Sequence, residues 1–509
     1  MPRRHSDTIS PMPLAATFLV TAAILLPCVF YVWLALRERP YIKSLADFFP
    51  LTHHLKSGEY SRSTVSAGVS LATVILALVN LAPFLGLALL VTIGSYALSF
   101  VILRWKAAAI IEANPRCDTL QGWLGDAYQS STVRLVALLF SFVGYVSIFS
   151  MELLVGVTVL EPFLGKSVLS FAFLYLLFMI AYSLISGFRA IVATEQWQFR
   201  FVVGAVFVLI ALVPMLAYVR DTPVAVSGIV TNLFQNWSAP WAFVIGIICM
   251  NVPAPFADAA TWQRLCATRS IDDARRGLAR AVPWFVLIWG GLILCACIIG
   301  GIATQTGDFH ADKGTLMTYI ISVLSHGGPL HLVLLFTFIL GLFSAMITTA
   351  DSLLLVSAQM YTQDFRRLQP DIDPAREAHS LRVARVSLAV IALLSFALFA
   401  VFQWMRFDVV QLIFAIYGAH IALFPPVIAA LFLRKRLSLP KSASATWLSI
   451  AFGFLAGWGS AIYGKNSGHT DWLYNAPAVS LLVAIGVFVV VSLPHWHSRA
   501  EISQVRAED

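Results

Sequence analysis

Charged residues are scarce in this chain: they make up 12% of its 509 residues, against 59% for hydrophobic residues. The longest polar stretches reach only about 20 to 30 residues, which is shorter than an independent domain. This excludes a kinase, a nucleotide-binding domain or a secreted catalytic module as a separate soluble unit. The formal net charge of +8 is distributed in a way that indicates membrane topology, and it points to neither a nucleic-acid partner nor an anionic substrate.

Cysteine is also rare, and its spacing excludes the common cysteine-based sites. The chain has six cysteines, and no CxxC pair is accompanied by matching histidines. Most of them lie inside apolar runs. We therefore interpret them as small buried hydrophobic residues, and we expect neither disulfides nor a metal site from them.

Long hydrophobic runs, by contrast, are abundant. The mean hydropathy is +0.81, and apolar runs of about 18 or more residues, enough to cross a bilayer, recur along the chain. The first run, 14–36, is too long for a signal-peptide core and lacks a small-residue cleavage site, so we expect it to remain as a helix. The sequence predicts an all-α polytopic protein of the lipid bilayer.

We predict thirteen transmembrane spans, numbered in chain order. They are 14–36, 64–81, 83–104, 133–160, 167–186, 190–218, 238–262, 280–303, 329–360, 383–403, 408–434, 445–464 and 475–493. The connections after the odd-numbered spans and the C-terminal tail hold roughly 24 basic residues, against roughly 7 on the other side. This places the N-terminus outside and the C-terminus in the cytoplasm of a plasma (bacterial inner) membrane, although Arg3 and Arg4 oppose it.

Span 9 carries oxygen-bearing side chains on one helix face. Ala345, Thr348, Thr349 and Ser352 fall at i, i+3, i+4 and i+7, with Asp351 on the turn after Thr348. Clustered oxygens of this kind suit a small hard cation. The alternative is that these hydroxyls bond only to their own i−4 carbonyls or to a neighbouring helix.

Four acidic residues lie within predicted spans. They are Glu152, Glu195, Asp258 and Asp351. A buried, unpaired carboxylate either binds a cation or takes up a proton, so each is a candidate functional residue. For Glu195 the alternative is a hydrated position at the cytoplasmic end of span 6, paired with Arg189 or Arg200.

Proline and asparagine mark two possible helix breaks. Span 7 has Asn251-Val-Pro-Ala-Pro255 near its middle, where each proline removes a backbone donor and clashes with the preceding turn. Span 2 has only Asn80-Leu-Ala-Pro83, near its end. We expect the helix of span 7 to break near its middle. In span 2 the proline and asparagine indicate an interruption only close to the end of the span.

Three segments carry short sequence motifs, and the order of these motifs along the chain is informative. They are SGFRAIVATEQWQ at 186–198, WQRLCA at 262–267 followed by ARRG at 274–277, and SAMITTADSLL at 344–354. They resemble the "GG-x-x-A-V-x-x-T-D-x-x-Q", "QR-x-x-A…A-R-R-G" and "A-x-M-S-T-A-D-S-x-L-L" motifs of the solute:sodium symporter family. Weaker similarity at 119–124 and 418–436 extends the resemblance over about 60–436.

The resemblance implies a LeuT-type core made of two five-helix repeats of opposite orientation, spans 2–6 and 7–11. In domain terms, 1–60 would hold the extra first helix and a cytoplasmic loop, 61–436 the core, and 437–509 two more helices and a short tail. The whole chain is then one transporter domain.

The resemblance also implies a sodium site between spans 2 and 9. Carried over residue by residue, its ligands are Ala72, Ile75, Ala345, Thr348 and Thr349, the first two through their carbonyl oxygens. A second cation or proton site would combine Glu195 with Thr348, Asp351 and Ser352. Two carboxylates in one dry site cannot both remain ionised without a cation or a shared proton.

Candidate substrate residues follow from polar or aromatic character within the core spans and, for Glu152 and Asp258, from the resemblance, which implies polar side chains at these positions in some relatives. They are Asn80, Glu152, Asn251, Asp258 and Tyr417, with Trp284 and His420 as weaker candidates. A lone aromatic residue or histidine in a membrane helix more often serves packing.

These features and the resemblance together predict a secondary active transporter, a symporter of a small organic solute with Na⁺, working by alternating access. It would need no organic cofactor and would not be an enzyme. Coupling to H⁺ is one alternative. A solute sensor of the same fold is another, although the short polar tail after Trp496 favours transport. A membrane enzyme would have to use His53 and His54 near Lys56, which have no partnered nucleophile.

Overall fold

A computed structural model describes residues 12–49, 53–164, 168–218, 241–307, 315–405 and 409–496. Arg3, Arg4 and the tail after Trp496 lie outside these ranges. The main helices are Leu14–Glu38, Ser57–Ala67, Ala77–Leu85, Leu90–Ala113, Leu120–Ala127, Ser131–Leu164, Val168–Tyr218, Trp241–Asn251, Ala259–Cys266, Ile271–Gln305, Leu316–His326, Pro329–Gln359, Pro374–Met405, Val409–His420, Phe424–Phe432, Ala443–Ser467 and Ala476–Ser492. The prediction of an all-α polytopic membrane protein is confirmed.

Ten helical stretches in the described part of the chain are long and apolar enough to cross a membrane. Two shorter apolar helices are Trp241–Asn251 and Leu316–His326. The count of thirteen spans is not obtained by this criterion and stays a prediction. The difference arises because two of the ten stretches contain a reversal of the chain and span 7 is broken.

The first reversal divides helix Val168–Tyr218 at Gly187, whose φ of 52° and ψ of −137° lie outside the helical region. The contacts that helix Val168–Tyr218 makes with helix Pro329–Gln359 show that the chain changes direction at Gly187. They join Tyr175 to Phe343, Tyr182 to Asp351, Ser352 to Glu195 and Gly204 to Thr337. In the first two contacts the residue numbers rise together on both helices, so span 5 runs parallel to helix Pro329–Gln359. In the last two they change in opposite directions, so span 6 runs antiparallel to that helix and to span 5.

Gly86 produces the same reversal between spans 2 and 3, with φ 51° and ψ −137°. Here the partner is helix Ile271–Gln305. The contacts join Ala82 to Cys297, Pro83 to Gly300, Ile93 to Gly290 and Tyr96 to Phe285. Positive φ is easily accessible only to glycine, because glycine has no Cβ. Spans 5 and 6 therefore both pack against helix Pro329–Gln359, and spans 2 and 3 both pack against helix Ile271–Gln305.

The break in span 7 lies where the prolines predict it. The helix ends at Asn251, and a short turn, Ala254–Ala257, follows directly after Pro253. Asp258 then has extended backbone, with φ −97° and ψ 114°, before helix Ala259–Cys266 begins. Span 7 therefore consists of two helical halves separated by an irregular segment.

The break in span 2 is not at Asn80–Pro83, which lie inside helix Ala77–Leu85. Helix Ser57–Ala67 ends before Gly68, and a π-helix, Leu71–Leu76, begins after Ser70. A Cβ on Gly68 would lie 2.6 Å from the Phe285 ring and 2.8 Å from the Tyr96 hydroxyl. The helix of span 2 is therefore interrupted at Gly68, where close packing leaves no room for a side chain, and not at Pro83.

The extra first helix, Leu14–Glu38, packs directly on the core. Tyr31 is fully buried, and its hydroxyl lies 3.2 Å from the Ser344 hydroxyl. The Ser186 hydroxyl donates to the Ala35 carbonyl at 2.6 Å. The division of the chain into 1–60, 61–436 and 437–509 stays a prediction.

Candidate functional site

The breaks in spans 2 and 7 face a cavity of about 200 Å³. Gly68, Ser70 and Thr73 line it from span 2, and Asn251 and Asp258 line it from span 7. The remaining walls are largely apolar and aromatic. A concave, mostly apolar cavity with a few convergent polar groups is typical of a small-molecule site.

Glu152 caps the second half of span 2 from behind the cavity wall. Its fully buried carboxylate accepts hydrogen bonds from the Ser70 hydroxyl and, at 3.3 Å, from the Ala72 backbone N–H. The Ser70 oxygen in turn accepts from the Thr73 N–H at 2.9 Å. Glu152 is not among the residues that line the cavity and instead contacts the lining residue Ser70, so its contact with substrate stays a prediction.

Asp258 caps the second half of span 7 in a similar way. Its carboxylate accepts from the backbone N–H groups of Ala260 and Thr261, at 3.3 and 2.9 Å, and from the Thr261 hydroxyl at 2.6 Å. The Tyr145 hydroxyl donates to it at 3.1 Å. Asp258 is only partly buried and lines the cavity, as predicted for a substrate residue.

The other substrate candidates divide into two groups. Asn251, Tyr417 and His420 line the cavity. Asn80 does not: its amide oxygen accepts from the Met317 N–H at 3.2 Å and joins span 2 to helix Leu316–His326. Trp284 also lies away from the cavity lining, with its ring packed edge-on against Phe199.

Two of the three predicted sodium ligands of span 9, Thr348 and Thr349, have hydroxyl groups with no hydrogen-bond partner among the described residues. Thr348 is fully buried and Thr349 is 6% exposed, and neither hydroxyl is bonded. Ser352 and Ser357 on the same helix do bond to their own i−4 carbonyls, each at 2.7 Å. The alternative that a hydroxyl bonds to the i−4 carbonyl of its own helix therefore holds for Ser352 and Ser357, and not for Thr348 and Thr349.

The π-helix of span 2 packs against helix Pro329–Gln359, which brings the segment of Ala72 and Ile75 to the threonine-bearing helix. The Ala72 carbonyl accepts from the Ala77 N–H, and a carbonyl oxygen has a second lone pair for a further partner. Ala345 is fully buried on the same helix as the threonines.

Two residues of the predicted second site, Glu195 and Ser352, contact a protein cation, Arg264. Its guanidinium lies 2.5 Å from the fully buried Glu195 carboxylate and 2.6 Å from the Ser352 hydroxyl. The Ser63 hydroxyl also donates to Glu195. Asp351 accepts from the Tyr182 hydroxyl and, at 3.2 Å, from Ser352.

Neither alternative partner of Glu195 is its partner in the structure. Arg189 pairs with Glu38 at 2.7 Å, and the Arg200 guanidinium lies over the Trp197 ring. The hydrated, cytoplasmic-edge interpretation of Glu195 is wrong, because the side chain is fully buried. The "QR" motif contained Arg264, but its partner is 69 positions away, beyond the reach of local sequence patterns.

No family model matches the chain. It is 25% identical to the osmoregulated proline transporter OpuE of Bacillus subtilis (strain 168) over 326 residues, which is 61% of this chain and 62% of that protein. The chain thus spans less than two thirds of that relative's length. Among solved structures, a Na⁺-coupled sialic acid symporter in a substrate-bound, outward-open state matches with a TM-score of 0.74 and 16% identity, covering 94% of this chain and 99% of the other. The chain shares the fold of that solved structure, and the resemblance to the solute:sodium symporter family predicted from the three motifs is confirmed.

Proposed function

We propose that this protein is a secondary active transporter that moves a small organic solute together with Na⁺ by alternating access. The observation that carries the proposal is the pair of buried hydroxyls of Thr348 and Thr349 beside the broken span 2, which have no hydrogen-bond partner in the described part of the chain. Leaving buried polar groups without partners costs about 1–3 kcal/mol each. A bound Na⁺ would be coordinated by a lone pair of each hydroxyl oxygen.

The proposed sodium site joins two elements that face the cavity from different parts of the core. The carbonyls of Ala72 and Ile75 would supply ligands from span 2, and Ala345, Thr348 and Thr349 would supply them from span 9. Because the ion contacts both elements, it favours the state in which they are close. A higher affinity in that state than in the other is what coupling requires.

The group around Glu195, Asp351 and Ser352 would act as a second cation or proton site only alongside Arg264. The guanidinium already supplies one fixed positive charge there. Asp351 receives its hydrogen bonds from the neutral donors Tyr182 and Ser352, and this observation favours H⁺ as the alternative coupling ion.

The membrane orientation is part of the proposal. An excess of Lys and Arg in the connections after the odd-numbered spans supports a cytoplasmic C-terminus and an external N-terminus. We propose the plasma membrane of a bacterium as the location.

Uptake into proteoliposomes tests the function. A panel of labelled amino acids, sugars, carboxylates and ammonium compounds would be offered under an inward Na⁺ gradient, an inward H⁺ gradient or neither. Accumulation driven by Na⁺ supports the proposal, and accumulation driven only by H⁺ replaces Na⁺ with H⁺. Binding without accumulation under either gradient contradicts transport and favours a sensor.

A further inference from the structure

The cavity walls are rich in aromatic rings. Tyr96, Tyr145, Phe243, Trp289, Phe414 and Tyr417 all line it. Tyr96 and Trp289 are stacked with ring centroids 4.4 Å apart. Aromatic faces attract cations through the ring quadrupole, and enclosed aromatic walls are suited to ammonium groups.

Two charged side chains line the cavity among the described residues, Asp258 and Arg264. Arg264 is paired with Glu195 at 2.5 Å, so its charge is balanced within the protein. The four donors to Asp258 are backbone N–H groups and hydroxyls. They are all neutral, so the negative charge of Asp258 is the unbalanced one.

The two helix ends that face the cavity already hold carboxylates. In broken-helix transporters the positive N-terminal ends of half-helices are available to anionic groups of the substrate. Here Glu152 accepts from the start of the second half of span 2, and Asp258 caps the second half of span 7. A solute carboxylate would meet the like charge of Asp258 at span 7, and at span 2 it would find the Ser70 and Ala72 donors already bonded to Glu152.

Asp258 also selects among cations. Each of its oxygens accepts two hydrogen bonds, which fills the roughly four acceptor positions of a carboxylate. It therefore attracts positive charge but has no free acceptor for an ammonium N–H. A quaternary ammonium group has no N–H to satisfy.

We propose that the transported solute is an organic cation with a quaternary ammonium group, held by the aromatic walls and the charge of Asp258. The proposal rests on the proposed transport function. It deepens that function by naming the class of solute.

A pair of probes that differ in charge alone tests the proposal. Choline and its neutral carbon isostere 3,3-dimethylbutan-1-ol would be titrated into the purified full-length protein in detergent with NaCl, with tryptophan fluorescence and calorimetry as readouts. We expect choline to bind about tenfold more tightly or better. Equal affinities, or tighter binding of L-proline than of choline, would overturn the proposal.

Variants locate the effect. Asp258→Asn keeps a good helix cap but loses the charge, so choline affinity should fall severalfold toward that of the isostere, whose own binding should not change, and the aromatic walls should retain part of the preference for the cation. Tyr96→Phe should retain choline binding, whereas Tyr96→Leu should weaken it severalfold. Asp126→Asn, at an exposed position, is the matched control. Unchanged choline affinity in folded Asp258→Asn protein contradicts the proposal.

Uptake separates this proposal from the proposed function. If labelled proline accumulates under a Na⁺ gradient and choline neither binds nor accumulates, the inference on solute class is wrong and the transporter stands. If choline binds but no solute accumulates under either gradient, the transporter proposal fails and the solute class is retained.

Discussion

At the residue scale, Thr348, Thr349 and Arg264 are buried polar side chains that differ in whether they have a partner. The threonines lie in the apolar span 9, and Arg264 is buried at the end of span 7, so each of these polar groups needs a partner. Thr348 and Thr349 have none among the described residues, while Arg264 has Glu195, Ser63 and Ser352. The first pair is suited to an added ion, and the second group is already complete.

Replacing Thr348 and Thr349 with alanine should lower the apparent Na⁺ affinity by about tenfold or more, since hydrogen bonds and contacts to charged groups contribute about 1.5–3 kcal/mol. The measurement is the Na⁺ dependence of solute uptake. Ser357→Ala is the matched control, because that hydroxyl bonds to its own helix. An unchanged Na⁺ dependence in the double variant would remove the threonines from the site.

Replacing Arg264 with alanine should destabilise the protein by about 3–5 kcal/mol, because it leaves the buried Glu195 carboxylate unpaired. Thermal unfolding in detergent measures the loss. Arg189→Ala breaks a partly exposed pair with Glu38 and should cost only about 0–1 kcal/mol. Similar losses in the two variants would show that the Arg264 pair is not specially coupled.

At the scale of the element, the decisive features are the reversals and breaks of helices. The proline-based break in span 7 was predictable because proline has a local effect on the backbone. The break in span 2 was not, since it depends on the approach of Phe285 and Tyr96 to Gly68. The same holds for Gly187, whose neighbour Phe48 comes from a distant part of the chain.

Gly187→Ala should destabilise the protein by about 1–3 kcal/mol or more, from backbone strain at positive φ. A Cβ there would also clash with the Phe48 carbonyl oxygen. The melting temperature and the yield of folded protein are the readouts. Gly94→Ala, inside helix Leu90–Ala113 with nothing within 4 Å of its Cβ, should be neutral or slightly stabilising. If both variants melt alike, the tight turn is not required.

At the scale of the whole molecule, the proposed ion links two parts of the core and should therefore stabilise it. At a Na⁺ concentration about ten times the dissociation constant, the stabilisation is about 1.4 kcal/mol. We expect a higher melting temperature in NaCl than in KCl at equal ionic strength. The Thr348→Ala/Thr349→Ala protein should show a much smaller difference, about 0.4 kcal/mol for a tenfold weaker site. Equal melting of the native protein in the two salts would contradict the sodium site.

The sequence by itself determined the membrane class, the all-helical architecture and the family resemblance. Hydropathy, charge asymmetry and short motifs are local properties, and each can be read without knowing which segments touch. It also identified Thr348, Thr349, Asp258 and Tyr417 as candidate residues.

Only the tertiary structure decided the partners. Glu152 meets Ser70 across 82 positions and Glu195 meets Arg264 across 69, and no local pattern specifies such pairs. The structure also shows that Asn80 does not line the cavity. It places the break of span 2 at Gly68–Ser70. Packing between distant helices fixes which buried charge is balanced and which remains for a ligand, and that balance is a property of the folded chain.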